Sequence, residues 1–276
     1  MKTHRFLNPW LAAIATITLS LSGVSAVHAA DLTAREIMQK VKDRDDGNNS
    51  ISDMEMILID SKDQQRVRSM RSFRRDSPAN KEDGQSIMFF LAPADVKDTG
   101  FLTFDYDDAS KDDDQWLYLP ALKKVKRIAA SDKSSSFMGS DFTYADMSSP
   151  NIDDYTYSIM KEEMVNGQKT WQIESVPKTE AEIERTGYTK SVLFVRQDNF
   201  VPVRAVNWVK KGDRLKYMEV KKLEQIDGIW TSTEITMATK KGNQTLHRSI
   251  IKVSNTKYNQ KLEDELFSER RLEKGL

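Results

Sequence analysis

Histidine and cysteine, the side chains that most often serve as bases, nucleophiles and metal ligands, are almost missing from this chain. It has no Cys and only three His among 276 residues, and two of these, His4 and His28, lie in its first 29 residues. His247, in the alternating run 245–252, would have to carry any Ser-His-Asp mechanism alone, and a site with several His ligands is excluded for the rest of the chain. We expect His247 to be an ordinary strand residue.

Common catalytic and ligand-binding motifs are missing too. The sequence contains no G-x-S-x-G, P-loop or H-E-x-x-H, and Gly139-Ser140-Asp141 lacks the flanking pattern of a nucleophile elbow. The acidic run at 105–114 lacks the ligand order of an EF-hand, so we interpret it as a solvated loop. With 42 basic and 42 acidic residues, the chain has no basic surplus for nucleic acid. We therefore predict a protein that is not an enzyme and needs no metal or cofactor.

Two basic clusters could meet anionic groups. In the segment 66–75, strand alternation places Arg68 and Arg74 on the opposite face from Arg71 and Arg75, so one phosphate-binding patch is excluded and a solvated strand is the better interpretation. The second cluster could contact an acidic partner or anionic headgroups, or form a solvated turn, and consists of Lys123, Lys124, Lys126 and Arg127.

The first 29 residues have the layout of a secretory signal. Two basic residues near the start precede an apolar run at 10–21, and Val27 and Ala29 would occupy positions −3 and −1 of a cleavage site. The apolar run is short for a spanning helix, which needs about 20 apolar residues, so an uncleaved anchor is the lesser alternative. We predict a cleaved signal peptide at 1–29, a single domain at 30–276 without an internal linker, and localisation in the periplasm.

The rest of the chain has the pattern of a mainly β protein. Thr33 and Glu36 match a capping box, which predicts a helix over residues 34–42. Alternating and β-branched runs follow, separated by turn pairs such as Asn166-Gly167, and this spacing favours roughly eleven to thirteen antiparallel strands. Because one flat sheet rarely holds so many strands, we predict a sheet that curls into a barrel or part of one.

Residues 129–151 are a long stretch without a strand pattern. A loop of this length inside a compact domain is usually functional or carries short helices. We expect Asp141 to cap a short helix that runs to Met147, on the concave side of the sheet together with the helix at 34–42. A further helix is expected over residues 264–274.

Two segments carry a long and specific motif. They are residues 116–128, Trp-Leu-Tyr-Leu-Pro-Ala-Leu-Lys-Lys-Val-Lys-Arg-Ile, and residues 136–144, Ser-Phe-Met-Gly-Ser-Asp-Phe-Thr-Tyr. They resemble the outer-membrane lipoprotein-sorting protein family, periplasmic proteins of LolA/LolB-like fold, and in particular the branch associated with RND-type exporters. The resemblance implies a strongly curved antiparallel sheet, an open half-barrel, with short helices closing its concave face around an apolar cavity for acyl chains.

The residues give this cavity some support of their own. Eleven of the 12 Met lie after residue 29, and flexible thioethers suit a wall that contacts varied lipid tails, although an ordinary core would use them too. The residues that we expect to contact lipid are Phe137, Met138, Phe142, Tyr144, Trp116 and Tyr118. The first four are expected to form a movable lid with Gly139 as its hinge, or else a permanent plug.

The resemblance implies a periplasmic carrier that binds lipid or the acyl chains of lipoproteins and moves them towards the outer membrane. The alternative is a non-enzymatic accessory protein that docks on an RND-type inner-membrane transporter and need not bind lipid. A hydrolase of envelope lipids is a third candidate. Lipid that co-purifies with the protein would favour the carrier.

The signal at the start of the chain generates a prediction about export. We expect the exported protein to start at Ala30, because cleavage after Ala29 puts Val27 rather than His28 at position −3. N-terminal sequencing of the periplasmic form measures this directly. A mature protein that still carries residues 10–21 would contradict the prediction.

Overall fold

The computed structural model describes residues 32–276, and this part of the chain contains three α-helices and thirteen strands. The helices are α1 (Ala34–Lys42), α2 (Glu180–Thr186) and α3 (Glu269–Lys274). The strands are β1 (Asn49–Asp60), β2 (Gln65–Asp76), β3 (Gly84–Ala92), β4 (Gly100–Asp105), β5 (Asp114–Leu119), β6 (Lys124–Arg127), β7 (Tyr155–Val165), β8 (Gln168–Pro177), β9 (Tyr188–Arg196), β10 (Pro202–Val209), β11 (Leu215–Ile226), β12 (Ile229–Lys241) and β13 (Gln244–Tyr258). None of its helices is long and apolar enough to cross a membrane.

All thirteen strands form one antiparallel sheet in the order β6-β5-β4-β3-β2-β1-β13-β12-β11-β10-β9-β8-β7. β1 lies in the middle beside β13, so the chain first builds one half of the sheet outwards to the edge strand β6. It then builds the other half inwards from the opposite edge strand, β7. The predicted mainly β fold, an open curved antiparallel sheet with short helices, is confirmed.

Residues 128–154, which connect β6 to β7, are named the crossing segment here. Because β6 and β7 are opposite edges of the sheet, this connection has to span the sheet, and it does so over one face. Phe137 packs against β3 and β4, while Asp141 hydrogen-bonds to β12 and β13. The face that it covers is called the inner face, and the opposite one the outer face.

Helix α1 begins and ends where the sequence predicts. The Thr33 side chain accepts a hydrogen bond from the Glu36 main-chain nitrogen, and the Glu36 carboxylate accepts one from the Thr33 nitrogen at 2.8 Å. This capping box satisfies two donors that a helix start otherwise leaves free. The buried Ile37 of α1 then packs against Ile173 of β8 and Val195 of β9 on the inner face.

The helix predicted from Asp141 to Met147 is wrong. The crossing segment forms only a single 3₁₀ turn there, Ala145–Met147, and the Asp141 side chain bonds to the sheet instead of capping a helix. Tertiary hydrogen bonds to a buried carboxylate outweigh the small local preference for a helical turn.

The helix predicted over residues 264–274 is shorter than expected. It is divided into a 3₁₀ turn, Asp264–Leu266, and α3, with the non-helical Phe267 between them. Phe267 is buried on the outer face, and Ser268 caps α3 by accepting a hydrogen bond from the Arg271 nitrogen. Burial of one aromatic ring thus sets the break in the helix.

The C-terminal segment covers part of the outer face. Leu272 of α3 is fully buried and packs against Ile87 of β3 and Leu102 of β4. Gly100 permits this close approach, because a Cβ atom at that position would lie 2.6 Å from Leu272 Cδ1. The sheet therefore has apolar packing on both of its faces.

The arginines of β2 alternate between these faces, as predicted. Arg68 points to the inner face, where it donates to the main-chain oxygen of Met138. Arg75 points to the outer face, where its guanidinium lies 4.4 Å from the centre of the Phe267 ring. These arginines therefore do not form one patch.

The packing of α3 generates a prediction about stability. Leu272→Ala should lower the free energy of unfolding by about 2–5 kcal/mol, because a fully buried leucine leaves a cavity against β3 and β4. Urea denaturation followed by circular dichroism measures the change. Leu276→Ala is the matched control, since Leu276 is 54% exposed and its loss should cost less than about 0.5 kcal/mol. Equal losses in the two variants would contradict the assignment of α3 to the core.

Candidate ligand-binding site

A cavity of about 440 Å³ lies on the inner face, bounded by α1, the crossing segment and the second half of the sheet. Helix α1 contributes Met38 and Val41, and the crossing segment contributes Phe142 and Ala145. The apolar residues contributed by the sheet and its connections are Leu193, Val201, Ala205, Met218, Val220, Ile235 and Met237. This volume lies within the range of small-molecule sites, roughly 300–1,000 Å³.

Strand pairing explains the apolar wall on the sheet side. Ala205 of β10 lies opposite Met218 of β11, and Met218 lies opposite Met237 of β12. Residues opposite each other in antiparallel strands point to the same face, so these side chains form a row on the inner face. A small alanine beside two flexible methionines leaves room for an apolar ligand and lets the wall adapt to it.

The aromatic residues of the crossing segment pack in one cluster with the sheet, and one of them also reaches the cavity. Phe142 is buried in this cluster and lines the cavity, whereas Phe137 is completely buried, with its ring centre 5.0 Å from that of Phe101. Tyr144 meets Phe137 edge-on at 5.5 Å, and Met138 packs against the same cluster. All four residues that the sequence suggests as a lid pack in the core between the segment and the sheet, and of them only Phe142 also lines the cavity.

The other two predicted lipid contacts point away from the cavity. Trp116 and Tyr118 pack on the outer face near the C-terminal segment, where the Trp116 ring centre lies 5.2 Å from that of Phe104. Leu117, between them, points to the inner face because successive side chains alternate along a strand. The structure therefore does not bring all six residues to one site.

Asp141 attaches the crossing segment to the middle of the sheet. Its buried carboxylate accepts hydrogen bonds from Thr239 Oγ1 at 2.5 Å and from Ser249 Oγ at 2.7 Å, and His247 Nδ1 lies 2.7 Å from it. The Asp141 main-chain nitrogen donates to Ser249 Oγ at 2.9 Å. His247 is a strand residue of β13 as predicted, and its ring belongs to this polar group.

Sequence reasoning missed this group. The available signal was weak: His247 and Ser249 are two residues apart, and so share one face of a strand, and an acidic residue lies inside the specific motif at 136–144. Nothing local indicates that these two segments meet. Only the path of the crossing segment over β12 and β13 brings Asp141 to them.

A second polar group lies at one end of the cavity. Tyr188 OH donates to Asp146 Oδ2 at 2.9 Å, and Lys216 Nζ lies 3.3 Å from the same tyrosine oxygen. Burial lowers the pKa of Lys216, and burial together with the Asp146 carboxylate raises the pKa of Tyr188 well above its ordinary value. The tyrosine therefore stays neutral and positions the Asp146 side chain.

The crossing segment is also held by Asp105 at the end of β4. Asp105 Oδ2 accepts a hydrogen bond from the Ser149 main-chain nitrogen at 2.8 Å. Burial, and then the nearby Asp113 carboxylate, raise the pKa of Asp105 to about 6, although the bond from Ser149 acts in the opposite direction. Asp105 thus anchors the crossing segment near its C-terminal end, and its carboxyl group is protonated more readily than an ordinary aspartate.

The basic cluster of the sequence motif is exposed on the β6 edge of the sheet. It consists of Lys123, Lys124, Lys126 and Arg127, of which Lys126 lies 3.5 Å from Asp132 and Arg127 pairs with Asp114. Its members are not part of the cavity wall. Among residues 32–276, no group of three or more His, Asp or Glu side chains is arranged to hold a metal ion.

The Asp141 hydrogen bonds generate a prediction about the crossing segment. Asp141→Ala should lower the free energy of unfolding by about 2–4 kcal/mol and speed amide exchange in residues 137–147, because buried donors lose their acceptor. Denaturation and hydrogen-exchange mass spectrometry measure both effects. Asp132→Ala, at a half-exposed carboxylate of the same segment, is the control and should change little. Unchanged exchange in the Asp141 variant would refute the anchoring role.

No curated protein matches this chain. A family model with the description "-like: Uncharacterized protein" matches residues 82–274. The crystal structure of a DUF1329 family protein from Desulfovibrio piger is 31% identical, covers 87% of this chain and 97% of its own, and superposes with a TM-score of 0.78.

Two further crystal structures are similar. The first is a domain from Vibrio parahaemolyticus, described as a "putative outer membrane lipoprotein-sorting protein domain". It is 33% identical to this chain, covers 87% of this chain and 98% of its own, and superposes with a TM-score of 0.77. A LolA superfamily protein from Nitrosomonas europaea, 18% identical over 87% of this chain and 99% of its own, has a TM-score of 0.64 and shows a shared fold. The resemblance noted in the sequence is confirmed: the chain belongs to the DUF1329 family, together with lipoprotein-sorting-like relatives, and has the fold of the LolA superfamily.

Proposed function

We propose that this chain is a non-enzymatic periplasmic carrier, which binds lipid or the acyl chains of lipoproteins in the inner-face cavity and moves them towards the outer membrane. The observation that carries the proposal is the cavity of about 440 Å³ with its row of Ala205, Met218 and Met237. Apolar chains gain about 25 cal/mol for each Å² of surface that leaves water, so walls of this kind favour a hydrocarbon ligand.

The relatives support the same class of function. The Vibrio parahaemolyticus domain, described as a "putative outer membrane lipoprotein-sorting protein domain", is 33% identical to this chain. A sorting protein has to shield acyl chains from water between two membranes, and an apolar cavity suits that task. The carrier role of the present chain is inferred from its cavity and supported by that relative.

The crossing segment is proposed to be the lid of the carrier. Phe142 contacts the ligand, while Phe137 holds the start of the segment in the core, so the moving part begins after Gly139, whose φ of +75° suits a hinge. The hydrogen bonds of Asp141 keep this lid closed. Met138 and Tyr144 support Phe137 rather than the ligand, and Trp116 and Tyr118 are left out of the site because they lie on the outer face.

The exposed basic cluster at the β6 edge is proposed as a contact for an acidic partner or for anionic headgroups. Lys123 and Lys124 extend from a tight turn before the edge strand, where a docking protein or a membrane surface can reach them. An RND-type transporter as that partner belongs to the alternative function, an accessory protein that needs no lipid. The predicted signal peptide at 1–29, on which the periplasmic location depends, lies outside the described residues.

The cavity generates a prediction about binding. Ala205→Phe should weaken the binding of a fluorescent fatty-acyl probe at least tenfold, because the new ring occupies the space beside Met218. Val206→Phe is the matched control: it adds the same ring to the same strand on the opposite face and should leave binding unchanged. Fluorescence titration measures the affinity, and thermal denaturation checks that both variants fold.

If the protein is a lipid carrier, we expect lipid to remain bound when the protein is purified under mild conditions. Mass spectrometry of organic extracts from the native protein, compared with the Ala205→Phe variant, should find acyl lipid only in the former. A parent protein that neither retains lipid nor binds the acyl probe would refute the carrier and favour the accessory role.

A further inference from the structure

The size of the cavity limits how many acyl chains it can hold. An apolar cavity of about 150 Å³ takes up one benzene, which is about 25 Å³ for each carbon. On the same scale, about 440 Å³ holds roughly 18 carbons, the size of one long acyl chain. Two chains of this length would exceed the volume of the cavity.

A cation without a partner lies at the mouth of this cavity. Arg44 follows α1 and lines both the apolar cavity and a neighbouring polar cleft of about 370 Å³. This cleft, which also includes residues 149–151 of the crossing segment, is named the outer cleft here. Its Nε is buried without a hydrogen-bond partner, and no carboxylate of residues 32–276 lies within 4 Å of its guanidinium. Arg185, the other arginine on the cavity wall, instead forms two bonds to Glu182 at 2.6 and 2.7 Å.

An unpaired and partly buried guanidinium destabilises the protein unless a hydrogen-bond acceptor or an anion binds to it. A polar group that loses water without a replacement hydrogen bond is destabilised, and a charged group is destabilised more. Guanidinium groups bind phosphate bidentately, and Arg44 stands where the head of a ligand would emerge if its chain filled the cavity. An anionic phosphate next to the chain therefore suits this position.

The outer cleft carries an excess of negative charge, opposite in sign to Arg44. Its four basic residues are Lys42, Arg44, Arg74 and Lys81, and they face seven Asp and Glu residues. Lys42 pairs with Asp107, and Arg74 pairs with Asp46 at 2.7 Å, so two of the other three cations are partly neutralised, and the carboxylates outnumber the cations. A ligand group that extends beyond Arg44 into this cleft is favoured when it is positively charged.

We propose that the site takes a single-chain phospholipid with a cationic headgroup. The chain lies in the inner-face cavity, the phosphate contacts Arg44, and the ammonium group lies among the carboxylates of the outer cleft. This inference rests on the proposed carrier function and deepens it, because it names the class of cargo: a lysophospholipid with an ethanolamine or choline head rather than a lipid with two or three chains.

The first test varies the lipid and uses the mature parent protein. Lysophosphatidylcholines of 12 to 22 carbons displace the fluorescent fatty-acyl probe, and the affinity should rise about fourfold for each added methylene until the chain reaches roughly 18 carbons. Beyond that length it should stop rising. A diacyl phosphatidylcholine of equal chain length that binds as tightly as the single-chain lipid overturns the inference but leaves the carrier function intact.

The headgroup is tested with ligands of one chain length. Lysophosphatidylcholine and lysophosphatidylethanolamine should bind more tightly than lysophosphatidylglycerol, which has the phosphate without the cation, and all three more tightly than hexadecanol. Inorganic phosphate alone should not displace the probe. Tightest binding of the glycerol lipid overturns the assignment of a cation to the outer cleft.

The second test varies Arg44. Arg44→Gln should weaken the binding of lysophosphatidylcholine about tenfold or more and leave hexadecanol unchanged, while Arg44→Lys should be intermediate. Arg35→Gln, at an exposed arginine of α1 paired with Asp153, is the control. Equal losses for the lipid and the alcohol, or no loss for either, overturn the phosphate contact. A parent protein that binds no acyl compound at all refutes the carrier function itself.

Discussion

The crossing of the sheet between its two edges governs the rest of the structure. Because β1 pairs with β13, the chain has to pass from the edge strand β6 to the opposite edge strand β7 before the sheet can be completed. The crossing segment is thereby obliged to lie over one face, and the space left between it, α1 and the strands is the cavity. The hydrogen bonds of Asp141 to β12 and β13 determine where over that face the segment lies.

Two kinds of contact hold the crossing segment, and they differ in how strictly they depend on geometry. Phe137 is held by burial among other aromatic rings, a force that depends on area and tolerates small shifts. Asp141 is held by hydrogen bonds, which fix both position and orientation. A buried carboxylate is costly to desolvate, and several donors offset that cost only while the segment is in place. The combination gives the crossing segment one defined position over the inner face.

The cavity and its mouth have different chemistry. Methionine and alanine side chains from neighbouring strands form part of the cavity wall, whereas Arg44 lies where the cavity meets a carboxylate-rich cleft. An amphipathic molecule satisfies both parts, since its chain leaves water and its charged head stays at the surface. The proposed carrier function and the proposed class of cargo therefore follow from one arrangement, with the chain length set by volume and the headgroup set by charge.

Local sequence patterns alone determined the first helix, the antiparallel strands and the alternation of arginines in β2, because capping, turn chemistry and strand period act over a few residues. The number of strands predicted a sheet that curls, and the resemblance to a known family added the open half-barrel and the idea of a cavity. Only the tertiary structure decided that Trp116 and Tyr118 face away from the cavity and that Asp141 meets Thr239, His247 and Ser249. Those contacts join residues about a hundred positions apart, and the path that brings them together is set by the pairing of the whole sheet.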